Sequence, residues 1–304
     1  MRITDRLLVD KVLGNIQLNE SRLARIQDQV STGRRISVPS DDPTGAVRSL
    51  TLRSNDDETQ QAQQNLDLAD AWLNATDTAL QDVNTVVQRA RELAVQGANE
   101  TLSQQETSAL STEVDQLIGH VLQLANTRSG DRYIFGGFNT KSQSFDMLDL
   151  GGAVTTDPAA ATGWQYNGDN GDIQRAVAPG VKLGVNVSGD RVFPQVFDVL
   201  IGIRDDLRNR AQASLSEDRL DELDSVHDDI LDALGEVGAK GSRLDVTARQ
   251  LSAQHLNDSG LISQTEDVDM SEAIIHLSAQ QAALQAALAT GARVIQPKLM
   301  DFLH

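Results

Sequence analysis

The chain has 304 residues, with 26 Lys and Arg against 44 Asp and Glu, and its formal charge of -18 argues against a nucleic-acid backbone as principal partner. It contains no cysteine, which excludes Cys-ligated zinc, Cys-ligated iron-sulfur clusters, thiol nucleophiles and disulfides. Aromatic residues make up 3% and hydrophobic residues 39%, so the apolar content is mostly Leu, Val, Ile and Ala, which suits helix-on-helix packing better than a ring-lined pocket.

The start, Met1 to Arg6, lacks a basic segment followed by an apolar one, and no stretch has the length and hydrophobicity of a membrane span. A soluble protein is expected, either cytoplasmic or exported by a route without a cleavable leader. Val9, Val12, Ile16, Asn19, Leu23, Ile26 and Val30 alternate by three and four residues and predict one helical seam over about residues 5–30. Asn19 is its polar member, either a partly exposed position or a register-fixing amide. Pro39 discourages helix, and Asp42 before Pro43 has the form of an N-cap followed by a first-turn proline.

From about residue 45 to 97 the pattern returns, with Leu66, Ala69, Leu73, Thr76, Leu80, Val83, Val87, Ala90 and Ala94 on one face. Such a helix would extend roughly 80 Å at 1.5 Å per residue, longer than a compact core needs. Gly97 to Asn99 interrupts it. Ser103 and Glu106 then form a capping-box pattern, and Leu110, Val114, Leu117, Val121 and Leu124 predict an antiparallel neighbour.

Between about residues 131 and 197 the character changes. Only Trp72 and Phe302, of ten Trp, Tyr and Phe residues, lie outside Tyr133 to Phe197, and Val181, Leu183, Val185 and Val187 alternate with period two. This portion is expected to hold its own small β core. Helix resumes after Pro194: Leu223, Ile230, Val237, Leu244 and Leu251 keep an unbroken heptad, with His227, Leu234, Gly241, Ala248 and His255 on a companion line. A last amphipathic face is expected from Met270, Ile274, Leu277, Gln281, Leu284, Leu288 and Ile295, broken by Pro297. Between Met270 and Gln296 only Glu272 and Arg293 carry full charge, which marks this helix for burial among other copies.

Motifs for chemistry are missing. His120, His227, His255, His276 and His304 include no pair at metal-ligand spacing, and there is no phosphate-binding glycine motif and no Gly-x-Ser-x-Gly elbow. Asp41 and Asp42 read as capping residues, with a two-carboxylate cation site as the competing use. The run Gly168 to Asp172 reads as a hairpin turn, with calcium as the weaker alternative. Arg34 and Arg35 read as partners of acidic side chains, with phosphate as the rival ligand. No catalytic, cofactor-binding or metal-ligating residue is assigned, and no cofactor is expected.

Residues Ile26 to Pro43 closely resemble the signature of the bacterial flagellin superfamily, and the Pro39-Ser40-Asp41-Asp42-Pro43 form is similar to its hook-filament junction branch more than to filament flagellin. The Met1 to Thr4 start, Asn65 to Leu80, Arg89 to Asn99, Tyr133 to Gly137 and Glu266 to Ala273 share the resemblance, which spans 1–138 and, as pattern, 220–296. It implies a mainly α fold with a β-rich insertion, an elongated antiparallel bundle formed by both chain ends and a small β domain in the middle. The expected division is 1–40 and 265–304 as terminal assembly helices, 41–132 and 198–264 as a helical rod domain, and 133–197 as a β-rich outer domain. The implied role is structural, at the junction of hook and filament, with filament-forming flagellin as the alternative. Implied partners are other copies in a ring, hook-associated protein 1, flagellin and a flagellar export chaperone, with no nucleic acid and no membrane. Export unfolded through the growing flagellum would suit a chain without cysteine.

Overall fold

The computed structural model describes residues 2–178, 180–216 and 218–295. The expectations for Pro297 and His304 lie outside the described residues. The fold is mainly helical with a small set of antiparallel strands between its helical parts. It divides into a terminal unit, residues 1–58 with 254–304, and a central unit, residues 59–253.

In the terminal unit, helix α1 (Arg2–Thr32) packs on α7 (Met270–Ile295). All seven predicted seam positions of α1, Val9 through Val30, are half-buried, and every other described side chain of residues 7–28 is exposed. The α7 seam differs from the expected one. Ala273, Leu277, Gln280, Leu284, Ala287 and Gly291 face inward at steps of four and three, whereas Met270, Ile274, Gln281 and Leu288 are exposed. Small residues won because the two helices approach closely: a Cβ on Gly291 would lie 3.2 Å from both Val12 and Ile16. The Gln280 side-chain amide donates to the Asn19 carbonyl at 3.3 Å and to Asn19 Oδ1 at 3.2 Å, so Asn19 serves as the register-fixing amide.

The long helix α2 (Pro43–Gly97) contributes to both units, as does α6 (Asp218–Glu266). In the central unit all nine predicted face residues of α2 are buried. Helix α3 (Gln104–Ala125) begins with the predicted capping box: Ser103 N donates to Glu106 Oε2 at 2.7 Å, and Glu106 N to Ser103 Oγ at 3.3 Å. It runs antiparallel to α2, with Arg89 bridging Glu113 at 2.6 Å. Its face is turned slightly from the expected one, since Ile118 is buried and Leu117 only partly so.

Five heptad residues of α6, Leu223 to Leu251, are buried, and the companion line from His227 to His255 is half-buried. Val226 and Ala233 bury the opposite flank, a second line the heptad reading did not include. Within the central unit α6 is antiparallel to α2: Arg91 pairs with Asp224, His227 Nδ1 lies 2.7 Å from Asn84 Oδ1, and Gln63 Nε2 lies 3.5 Å from Ser252 Oγ.

The strands form three small antiparallel sheets. β1 (Arg128–Ser129) pairs with β2 (Arg132–Tyr133). β3 (Phe145–Leu148) lies between β4 (Val154–Thr155) and β5 (Gly163–Tyr166). β6 (Gln174–Ala178) pairs with β7 (Val181–Gly184). The period-two expectation holds only in part: β7 stops at Gly184, Val181 is exposed, Leu183 is buried, and beyond the strand Val185, Asn186 and Val187 are buried in succession. The expected separate β core is not found. Phe135 and Phe145 stack at 4.7 and 5.4 Å between ring centres on Phe193 of α4 (Phe193–Asn209), and their cluster continues into the helices of the central unit. So few short strands cannot enclose a core of their own.

Candidate functional site

The signature segment and the end of α6 meet at the root of the α1–α7 pair. Gly33 adopts φ of +71°, the left-handed turn that ends α1. The chain then runs beside residues 266–268: Arg35 N donates to the Glu266 carbonyl at 2.5 Å, Val268 N to the Gly33 carbonyl at 3.0 Å, and Arg34 bridges Asp267 as an antiparallel pair. The Arg35 guanidinium adds a bond to the Thr265 carbonyl at 2.7 Å.

Glu266 is the centre of this root. It is buried, and its carboxylate accepts a two-pronged bond from Arg53, Nε at 3.0 Å and a terminal nitrogen at 2.5 Å, together with the Ser49 hydroxyl. Arg34 stands 3.9 Å away. The hydrogen bonds from Arg53 hold its carboxyl below the usual range against the opposing effect of burial, and Ser49 and the Arg34 charge add to the lowering. Sequence reasoning assigned Arg34 and Arg35 to acidic partners but named neither Arg53 nor Ser49. Both follow Pro43 in helical register, one face of the first turns of α2, and that spacing was the available signal.

The two carboxylates of the signature part company. Asp42 Oδ1 accepts the Gly45 N–H at 2.9 Å and the Asp42 carbonyl accepts the first helical bond from Ala46, so Asp42 is the N-cap of α2 with Pro43 as its first residue. The Gly45 amide is the main cause of the lowered Asp42 pKa, and Arg35, 3.4 Å away, lowers it further. Asp41 accepts from Ser37 N at 3.2 Å and Val38 N at 3.1 Å, closing the loop that precedes the helix. It therefore closes the loop, and Asp42 alone caps the helix.

The run Gly168 to Asp172 is not a hairpin turn, because β5 pairs with β3 and β6 with β7, leaving β5 and β6 unpaired with each other. It is sewn to the Tyr133 to Phe138 run: Asp169 Oδ1 accepts from Phe138 N at 2.7 Å and Gly171 N at 2.8 Å, and the Tyr166 hydroxyl lies 3.0 Å from the Phe135 carbonyl and 2.8 Å from that of Asp169. Gly137 has φ of +62°, and a Cβ there would lie 2.0 Å from the Asp169 carbonyl oxygen. That contact explains Gly137, and a Cβ on Gly136 would lie 2.5 Å from the Asn139 carbonyl oxygen.

A buried ionic group, unforeseen in the sequence, joins α3 to α4. Arg204 is 1% exposed and donates to the Ala161 carbonyl at 2.5 Å and to Asp205 Oδ1 at 2.9 Å. Asp115, its carboxylate bonded by Arg208 at 2.8 Å, has its pKa pushed up by burial in spite of both arginines. These groups tie backbone and neighbouring helices together. A cleft of about 400 Å³ is lined by Asn170, Asp172, Asn186, Ser188, Glu236 and Lys240, but the Lys240 ammonium is committed to the Asn186 carbonyl at 3.0 Å and Glu236 at 2.9 Å. Among the described residues no three His, Asp or Glu side chains converge as metal ligands, and no helix is long and apolar enough to cross a membrane.

What distinguishes the terminal unit is its surface. Leu7, Leu13, Leu18, Ile274, Ile275 and Leu288 are exposed on the α1–α7 pair, while Ile36 and Ala273 are the only buried apolar side chains among the described residues of the unit. An arrangement of this kind can bind other apolar helices; it offers no group placed to catalyse.

Residues 7–140 match the family model for the bacterial flagellin N-terminal helical region, and residues 220–303 match that for the bacterial flagellin C-terminal helical region. The chain is similar to flagellar hook-associated protein 3 of Salmonella typhimurium, 24% identical over 95% of this chain and 96% of that protein. It is also similar to the flagellar filament 33 kDa core protein of Treponema phagedenis, 26% identical over 95% of this chain and 93% of that one. Among solved structures, Bacillus cereus FlgL aligns with a TM-score of 0.59 and 25% identity, covering 70% of this chain and 99% of that one.

Proposed function

The chain belongs to the bacterial flagellin family, and from that membership we propose that it is the structural protein joining the flagellar hook region to the filament. The observation that carries this reading is the near full-length similarity to hook-associated protein 3. The exposed apolar surface of the α1–α7 pair supports it from the physical side, since an incomplete core is completed by association. Its place is the flagellum, in association with other flagellar components.

The finer reading is as follows. Copies of the chain assemble as a ring between hook-associated protein 1 and the first flagellins, after export unfolded with a chaperone engaging the C-terminal region. Residues 1–40 and 265–304 act as assembly helices, 41–132 and 198–264 as the helical domain that carries load, and 133–197 as an outer domain. The protein turns over no substrate. Lack of cysteine supports the export step, because no crosslink can block threading.

The similarity to a filament core protein favours one second reading, filament-forming flagellin. Immunogold labelling of intact flagella separates the two. A single band at the hook-filament boundary is the expected result, and labelling along the filament would replace the junction reading with flagellin.

A further inference from the structure

Polar bonds at the root of the terminal pair converge on the last residues of α6. Arg53 and Ser49, 213 and 217 residues away in sequence, bind the Glu266 carboxylate, and Arg35, 230 residues from Thr265, binds the Thr265 carbonyl. Val268 returns a bond to Gly33. These contacts join the turn after α1 and the first turns of α2 to the end of α6 and the residues before α7. Apolar packing contributes little here, Ile36 and Ala273 being the buried apolar side chains among the described residues of the unit.

We infer that the Glu266 cluster is a latch that keeps the end of α1 and the start of α7 side by side in the free subunit, whether or not those two helices are folded. A charged carboxylate held by a planar guanidinium at two atoms is among the stronger polar contacts, and its geometry fixes direction as well as distance. Loss of Arg53 leaves the buried Glu266 carboxylate without its main partner, so the latch opens. With the latch closed, the two terminal segments are tethered at adjacent points, and their pairing is an intramolecular event at an effective concentration on the order of millimolar. The latch thus makes the α1–α7 pair a single assembling element, where two free ends would have to find one another in competition with the ends of other copies.

The amides of Arg35 and Val268 report on the latch directly, because they donate across it. In the full-length free subunit, solvent-exchange NMR should find both protected by at least about tenfold over an unstructured chain. Glu266→Gln, and separately Arg53→Met, should abolish that protection while amides within residues 66–94 of the central unit keep theirs. Exchange of the Arg35 and Val268 amides at the unstructured rate in the wild-type chain overturns the inference, as does protection unchanged in both variants. Loss that spreads into residues 66–94 in both variants also overturns it, since the cluster would then be part of the general fold and not a latch.

Discussion

The terminal and central units are built from helices of the same kind, yet they bury different things. Among the described residues, all the buried apolar side chains but Ile36 and Ala273 belong to the central unit, where α2, α3, α4 and α6 share one cluster with the aromatic rings of the strands. The terminal unit has a half-buried seam, a polar root and an exposed apolar surface. The contrast can be followed along a single line of α6. Leu223, Ile230, Val237, Leu244 and Leu251 fill the heptad positions in the central unit, and the next position, in the terminal unit, is Asp258, buried with one carboxylate oxygen unpaired. The lesson is that helical periodicity marks where burial occurs, while residue type decides whether burial stabilises the chain by itself.

The sharpest way to break this comparison is to cut matched apolar groups from each unit. Leu244→Ala removes a side chain that is 2% exposed and should cost roughly 2–4 kcal/mol in chemical denaturation, through lost transfer energy and a cavity. Ile275→Ala, on the exposed face of α7, should change the free subunit by less than about 0.5 kcal/mol. A loss below that same figure for Leu244 would show that the heptad line is not what holds the central unit.

Gly137→Ala tests whether the strand segment belongs to the central core. A left-handed non-glycine residue costs about 1–3 kcal/mol, and the added methyl must also displace the Asp169 backbone. The expected result is a lowered denaturation midpoint for the whole central unit, read by Trp72 and Trp164 fluorescence together; separate transitions for the two would argue for a self-contained β portion.

Acid should act on the terminal unit by a smaller amount. Because the folded Glu266 carboxyl is held below its unfolded value, its contribution is complete above the ordinary carboxylate range and is lost as pH falls through the lower, folded value. The charged groups facing it are Arg53 and Arg34, with Asp57 and Asp267 acting on Arg53. Circular dichroism through that range should show helix lost in the wild type, and that step should be missing in Arg53→Met. The same step in both would assign the acid response to other carboxylates.

The smallest effects are expected at the signature carboxylates. Asp41→Ala and Asp42→Ala should each lower stability by a modest and similar amount, one through the loop amides of Ser37 and Val38 and the other through the helix cap. Denaturation with calcium and with chelator should coincide for both variants. Losses that vanish in chelator would reinstate a cation site.

Helices were legible because their seams repeat: the α1 seam, the buried face of α2, the capping box at Ser103 and the α6 heptad all stand where spacing placed them. The α7 seam keeps Leu277 and Leu284 of the expected line but turns away from Met270, Ile274, Gln281 and Leu288, because close approach at Gly291 selects small residues. What spacing could not convey were contacts between distant segments. Glu266 with Arg53, Arg204 with Ala161 and Asp169 with Phe138 are separated by 213, 43 and 31 residues, and no local pattern announces which partner a charged side chain will meet. The aromatic run was visible as a change of composition, but its membership in the helical core depends on where α4 lies. Asp42 was recognised as a cap because capping is local chemistry; the role of Asp41 needed the loop conformation.

On the proposed reading, other copies of the chain complete the terminal unit, while the central unit stands alone. Hydrogen exchange of the full-length protein, measured in the free and assembled states, tests it most directly. The account predicts weak protection of α1 and α7 in the free subunit, strong protection of residues 66–94 in both states, and a large gain confined to α1 and α7 on assembly. Strong protection of both terminal helices in the free subunit would contradict it.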